Sequence, residues 1–334
     1  MRFTRMVSTI DTHTGGTPTR TVVEGIPVLP GRSMREKMHY LRDNMDDFRT
    51  FLMWEPRGHK VMAGALITEP VEQGADVGII FFEGGLYPSM CGHSTIGAAT
   101  ALVETGYISA KEPVTSFTFD TPAGLVNVRV IVEDGSAKSV TFQNVPSFLY
   151  KKDVQIEVPG LGPVIADIAY GGNFFAILQA DSVGVVVEPK NINNLIQVGN
   201  RIKHALNDQI EVRHPEFPSI RDVSYVQFVA PPTLPEANLK NVVVAPSEVD
   251  RSPCGTGTSA MVAALFARGK LGMSERFIYE SIIGSTYEAK IVRKTQVGDY
   301  PAVIPEITGS AYITGFNRFV VDPADPLKNG FVVG

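Results

Sequence analysis

The chain has 334 residues, 44% hydrophobic and 19% charged, which is enough material for two ordinary globular domains. Its net charge of −5, with no basic block, argues against nucleic acid or an anionic membrane as partner. No apolar run approaches the roughly 18–20 residues of a membrane span. The N-terminus, MRFTRMVSTIDTHTGG, lacks the apolar core of a secretory signal, so a cytoplasmic protein is expected.

Taken in chain order, Phe3 to Ile10 and Thr19 to Val28 read as strands, the second rich in β-branched residues and broken by Gly25 and Pro27. Residues 31–53 read as one helix, because Met34, Met38, Leu41, Met45, Phe48 and Leu52 recur near helical spacing. Ser33 is its expected N-cap, with Glu36 as the capping-box partner. Short strands are expected at 61–67 and 76–82. From Cys91 to Val103 almost every residue is small or apolar, the mark of a helix buried on all sides, and Glu104, Thr105 and Gly106 supply its stop. Strand-like runs follow at 114–119, 126–132, 139–142, 154–158 and 173–178. A helical pattern occupies 190–209. Strands at 223–229 and 239–244 flank a proline-rich loop at 230–237. A turn, DRSPCGTGTSA, then opens another helix of small residues, and 273–320 returns to strands and turns.

The chain has two cysteines, Cys91 and Cys254, too few for a disulfide framework. By count alone they would be ordinary buried thiols. Their surroundings say otherwise. CGHSTIGAATAL at 91–102 and CGTGTSAMVAAL at 254–265 share Cys, Gly, a central Thr and a terminal Ala-Leu without a gap. Each half of the chain therefore repeats one plan: strands, a peripheral helix, a Cys-Gly turn and a buried helix. A thiol opening a helix meets unpaired N–H groups and the positive end of the dipole, which acidify it. Two such thiols on paired domains suggest one removing a proton from a carbon while the other delivers one to the opposite face. The same N–H groups would hold a substrate carboxylate.

MCGHSTIG at 90–97, DRSPCGTGTSA at 250–260, DTHTGG at 11–16 and the closing ITGFNRFVVDPADPLKNGF at 313–331 resemble the proline racemase family over essentially the whole chain. One departure is Thr17, where the family usually has Glu. The resemblance implies the diaminopimelate epimerase-like fold: an α/β (α+β) protein of two similar domains, each a curved sheet or barrel around a central helix, with the active site in the cleft between them. Residues 1–130 with 316–334 would form one domain and 131–315 the other. It further implies Cys91 and Cys254 as the catalytic acid and base. Gly92, His93 and Ser94 would line the substrate beside the first. Gly255 and Thr256 would bind its carboxylate beside the second, and Asp250 its ring amine. No cofactor and no metal are implied. The partner is a small molecule, proline or hydroxyproline, and the family's habit makes a homodimer the expectation.

Within the family, Cys254 argues against the trans-3-hydroxy-L-proline dehydratase branch, where Thr typically stands. Ser94 replaces the Asn associated with proline racemase, and its hydroxyl suits a ring hydroxyl. The expected reaction is thus epimerisation of trans-4-hydroxy-L-proline at carbon 2, with proline racemisation the alternative. A hydrolase using Cys91 with His93 would leave the Cys254 repeat unexplained. A G-x-S-x-G elbow from Gly92 fails at Ile96. A non-catalytic amino-acid-binding module would not need two thiols. His13 in DTHTGG has no spaced metal partner, and His39, His59, His204 and His214 read as surface or packing residues.

Overall fold

Alternating burial along the strands and glycine at positive φ in the turns build a mixed α/β protein, described here from a computed structural model for residues 3–246 and 248–333. The chain divides into two compact units. The first runs to Phe142 and resumes at Ser310, and the second is Gln143–Gly309. The sequence expectation drew these boundaries at 130/131 and 315/316.

In the first unit, β1 (Arg5–Thr14) pairs antiparallel with β2 (Thr17–Glu24). Between them Gly15 and Gly16 have φ of 55° and 92°. A two-residue hairpin of this hand needs positive φ at both places, which glycine adopts freely. The chain then crosses over through α1 (Met34–Asn44) and α2 (Asp46–Met53) to β3 (Ala63–Thr68), parallel to β2. β4 (Val77–Phe82) returns antiparallel. A second crossover, α3 (Gly92–Glu104), leads to β5 (Val114–Thr121), parallel to β4. β6 (Gly124–Glu133) and β7 (Ser136–Gln143) follow. The last strand of the chain, β16 (Ala311–Val321), pairs with β1.

The second unit repeats this order. β8 (Ser147–Val158), β9 (Gly162–Tyr170) and β10 (Phe174–Gln179) are antiparallel. α4 (Ile192–Gln209) crosses to β11 (Tyr225–Ala230), parallel to β10. β12 (Leu239–Val244) returns antiparallel, and α5 (Gly255–Ala267) crosses to β13 (Phe277–Glu280), parallel to β12. β14 (Thr286–Val297) and β15 (Tyr300–Gly309) complete it. Because β15 pairs with both β14 and β8, the eight strands close into a barrel.

The all-apolar helices are the central ones. Every residue of α3 from Gly92 to Val103 is buried, and α3 packs on β1, β2, β3, β6 and β16. α5 is buried from Gly255 to Ala264 and packs on β8, β9, β10, β14 and β15. The amphipathic helices lie outside. α1 and α2 cover a second core containing Met38, Leu41, Phe48, Phe51 and Leu52. α4 buries Leu195, Val198, Ile202 and Leu206, and Gly199 lets it approach Val244.

One expected element splits. The single helix over 31–53 breaks at Met45, whose φ of −143° is not helical. Its N–H closes on Leu41 O, and its carbonyl accepts from Phe48 N to start α2. Asp46 and Asp47 stand in the new first turn, where the dipole favours them. Ser33 does cap α1, accepting from Glu36 N at 3.1 Å, but the Glu36 carboxylate reaches back to Arg32 N rather than to Ser33 N. β9 was not expected at all. Pro163 stands at the strand's start, where a missing N–H is tolerated.

Candidate active site

Each unit presents a cysteine at the N-terminus of its central helix. In the first, Cys91 is the N-cap of α3 in ordinary extended backbone. Its sulfur lies 3.4 Å from His93 Nδ1, and its S–H donates to Ser94 Oγ at 3.2 Å. Ser94 Oγ is also 3.2 Å from Thr19 Oγ1. Thr14 Oγ1 donates to His93 O at 2.9 Å. A Cβ on Gly97 would fall 2.5 Å from Thr12 Oγ1, so glycine is what lets the helix lie against the hairpin. Thr12, Thr14 and Thr19 are all buried. The β1–β2 hairpin thus braces the first turn through a row of hydroxyls, and Gly92 and His93 follow the thiol with their N–H groups at the helix start.

In the second unit, Cys254 caps α5 with φ 63° and ψ 105°, a backbone region that side chains rarely adopt. A relay of hydrogen bonds holds it there. Ser252 N and Ser252 Oγ each donate to Asp250 Oδ1 at 2.8 Å, and Cys254 N donates to Ser252 Oγ at 3.2 Å. Asn241 Nδ2 fixes the preceding carbonyl, Pro253 O, at 2.8 Å. The strained conformation turns the sulfur back over its own helix, where Gly257 N donates to it at 3.4 Å and Thr256 Oγ1 lies at 3.6 Å. Below, fully buried Gln227 donates through Nε2 to Tyr279 OH at 2.7 Å. Burial pushes the Tyr279 phenol far above its ordinary value. The nearby Cys254 sulfur adds to this, against the pull of the Gln227 and Asn241 amides, so the phenol stays protonated.

Seven of the eight expected site residues therefore cluster at helix starts: Cys91, Gly92, His93 and Ser94 on α3, and Cys254, Gly255 and Thr256 on α5. Asp250 sits in the turn and is engaged with Ser252. The shared central Thr braces both turns, Thr95 Oγ1 donating to Cys91 O at 2.7 Å and Thr258 Oγ1 to Pro253 O at 3.2 Å. Sequence reasoning missed Thr12, Thr14 and Thr19, although their alternation in DTHTGGTPT marks one strand face. It also missed Gln227, set among apolar neighbours on β11, and Asn241, which follows Lys240 on an otherwise apolar β12. Among the described residues, no group of His, Cys, Asp and Glu is arranged to hold a metal, and no helix is long and apolar enough to cross a membrane.

The model of the family described as proline racemase matches residues 9–332. The chain belongs to the proline racemase family. It is 51% identical to proline racemase of Clostridioides difficile and 46% identical to 4-hydroxyproline 2-epimerase of Streptosporangium roseum, each over the full length of both chains. A crystal structure of a hydroxyproline epimerase from Agrobacterium vitis, with bound trans-4-hydroxy-L-proline, superposes with a TM-score of 0.95 at 35% identity, covering 100% of this chain and 96% of that one. The chain is thus an enzyme of the proline racemase family and shares its fold.

Proposed function

We propose that the protein inverts carbon 2 of a free prolyl amino acid by a two-thiol acid/base mechanism without a cofactor. The observation that carries this reading is the pair of buried cysteines, each at the N-terminus of its unit's central helix with hydrogen-bonding groups at the sulfur. One thiolate removes the α-proton, and the other thiol donates to the opposite face. The N–H groups of Gly92 and His93, and of Gly255 and Thr256, hold the carboxylate and the charge it gains as the carbanion forms. The Asp250 carboxylate takes the ring ammonium. His93 and Ser94 exchange hydrogen bonds with Cys91 as it changes protonation.

Proline is the substrate we assign first, supported by the 51% identity to a proline racemase. The Ser94 hydroxyl, on which the expectation of 4-hydroxyproline rested, bonds Cys91 and Thr19, so we rest the order of substrates on the identities. 4-Hydroxyproline is the second reading, favoured by the Streptosporangium relative and by the ligand of the Agrobacterium structure. Comparing kcat/KM for L-proline and trans-4-hydroxy-L-proline decides between them, and a preference for the hydroxylated substrate would reverse our order. Because Ser94 serves Cys91, Ser94→Asn should lower kcat for both and leave their ratio unchanged. Activity should survive a chelator, and turnover of neither amino acid would sink the reading.

A further inference from the structure

The second turn contains a polar atom to which the two-thiol reading gives no task. Gln227 stands mid-way along β11 inside the barrel, fully buried, with aliphatic ladder neighbours Ile177 and Val243. Its Nε2 is used by Tyr279 OH, whereas Oε1 has no hydrogen-bond partner among the described residues. The point where a Cβ on Gly257 would stand is 2.6 Å from Gln227 Oε1 and 3.2 Å from Cys254 Sγ. Oxygen and sulfur therefore border one small space, which the glycine keeps open. A buried amide acceptor is costly to leave unmatched, and the Cys254 thiol carries a movable hydrogen at that space.

The other ionisable groups around this turn have defined tasks. Tyr279 on β13 stays neutral, with Tyr287 opposite it on β14. Asp250 is bonded to Ser252, and Arg251 reaches Val249 O and Glu248. Asp167 on β9 pairs with Arg268 beyond the opposite end of α5, and Glu306 on β15 pairs with Lys290 on β14.

We propose that Gln227 is a positioning residue that holds the proton of Cys254: the thiol S–H turns into the barrel and donates to Gln227 Oε1, and the thiolate turns to the Gly257 N–H. Tyr279 fixes the amide so that its oxygen, not its nitrogen, faces the sulfur. The amide then favours the acid form of Cys254 against the helix N-terminus, which favours the thiolate. Cys91, placed beside His93 and Ser94, has an imidazole and a hydroxyl instead. The resting proton belongs on Cys254 and the resting base is Cys91. This deepens the two-thiol reading, but its test reads a thiol and not turnover.

In the full chain carrying Cys91→Ser, Cys254 is the one remaining thiol. Its ionisation can be followed by ultraviolet thiolate absorbance and by the pH dependence of iodoacetamide alkylation. Gln227→Leu should lower the midpoint by about one pH unit, making alkylation below it about tenfold faster. Gln227→Glu, which keeps an acceptor oxygen, should hold the midpoint at or above its starting value. Tyr279→Phe, which frees the amide, should lower it less than Gln227→Leu and carries the test if Gln227→Leu does not fold. A midpoint that stays or rises in the variant that folds overturns the proposal. Absence of turnover by the unsubstituted chain on L-proline and trans-4-hydroxy-L-proline, with the midpoint shifted as expected, would defeat the function reading and leave this one standing.

Discussion

The two cysteine turns share a sequence frame and hold their sulfurs by opposite means. Cys91 lies in relaxed extended backbone, and side chains come to it: His93, Ser94 and, behind them, the hairpin threonines. Cys254 is held in a left-handed backbone conformation, with the main-chain N–H of Gly257 and the Thr256 hydroxyl at the sulfur and the Asp250–Ser252 side-chain relay at its amide. A thiol set among an imidazole and a hydroxyl can trade protons with its neighbours. A thiol set over its own helix by backbone strain meets a main-chain N–H instead. Near-symmetric units can in this way supply two unlike groups for the two halves of one proton transfer.

The comparison is broken most severely at the sulfurs. Cys91→Ser and Cys254→Ser should each lower C2 inversion at least about 10²- to 10⁴-fold, because a hydroxyl is a far weaker acid near neutral pH. Chiral chromatography of the products checks this, and full inversion by either variant would leave the other thiol sufficient. Next come the two helix glycines. Gly97→Ala and Gly257→Ala both drive a Cβ toward a buried oxygen, and each should cost about 1–3 kcal/mol in denaturant unfolding. Only Gly257→Ala also crowds its cysteine, so it alone should change alkylation of the neighbouring thiol.

Much of this arrangement was legible in the sequence. The gapless match of CGHSTIGAATAL and CGTGTSAMVAAL announced paired central helices, because a helix apolar on all sides has nowhere to go but the middle of its unit. The outer helices followed from their one-sided apolar spacing, except at Met45, where local acidic residues restart the helix without disturbing the periodicity. β9 stayed hidden because Pro163 and its glycines give a loop signature that strand-initial placement overrides. The supports of the thiols were least legible. The left-handed Cys254 depends on the bond its N–H donates to Ser252 and on the one Asn241 donates to Pro253 O. Gln227 comes up against Gly257 only once β11 curves into a barrel around α5, a long-range fact that no local pattern encodes.

Smaller changes sharpen the contrast. Ser252→Ala removes the relay that holds Cys254 and should lower kcat about tenfold with KM little changed, since positioning is lost but binding is kept. Thr14→Val, its counterpart in the first unit, should cost only about 1 kcal/mol in unfolding, because other hydroxyls still brace Cys91. The smallest effect should lie away from both turns. Burial raises the Asp46 carboxyl, but hydrogen bonds from Arg49 and Tyr87 outweigh it and hold the group below its usual range. A depressed folded value gives stability that is present at neutral pH and lost as pH falls through that value. Asp46→Asn should cost under about 1 kcal/mol at neutral pH, the screened value for a half-exposed pair, and nothing in strong acid. Neither thiol should respond.

The central claim is that two different thiols handle the proton on the two faces of carbon 2. It is tested most directly by starting from pure L-proline in deuterium oxide and reading, before equilibrium, the isotope at carbon 2 of both enantiomers by mass spectrometry after chiral separation. The two-thiol account predicts that the D-proline formed carries deuterium from the solvent-equilibrated acid, while the L-proline recovered carries little. Deuterium entering both enantiomers at equal rates from the start would mean that one group serves both faces, and would contradict the account.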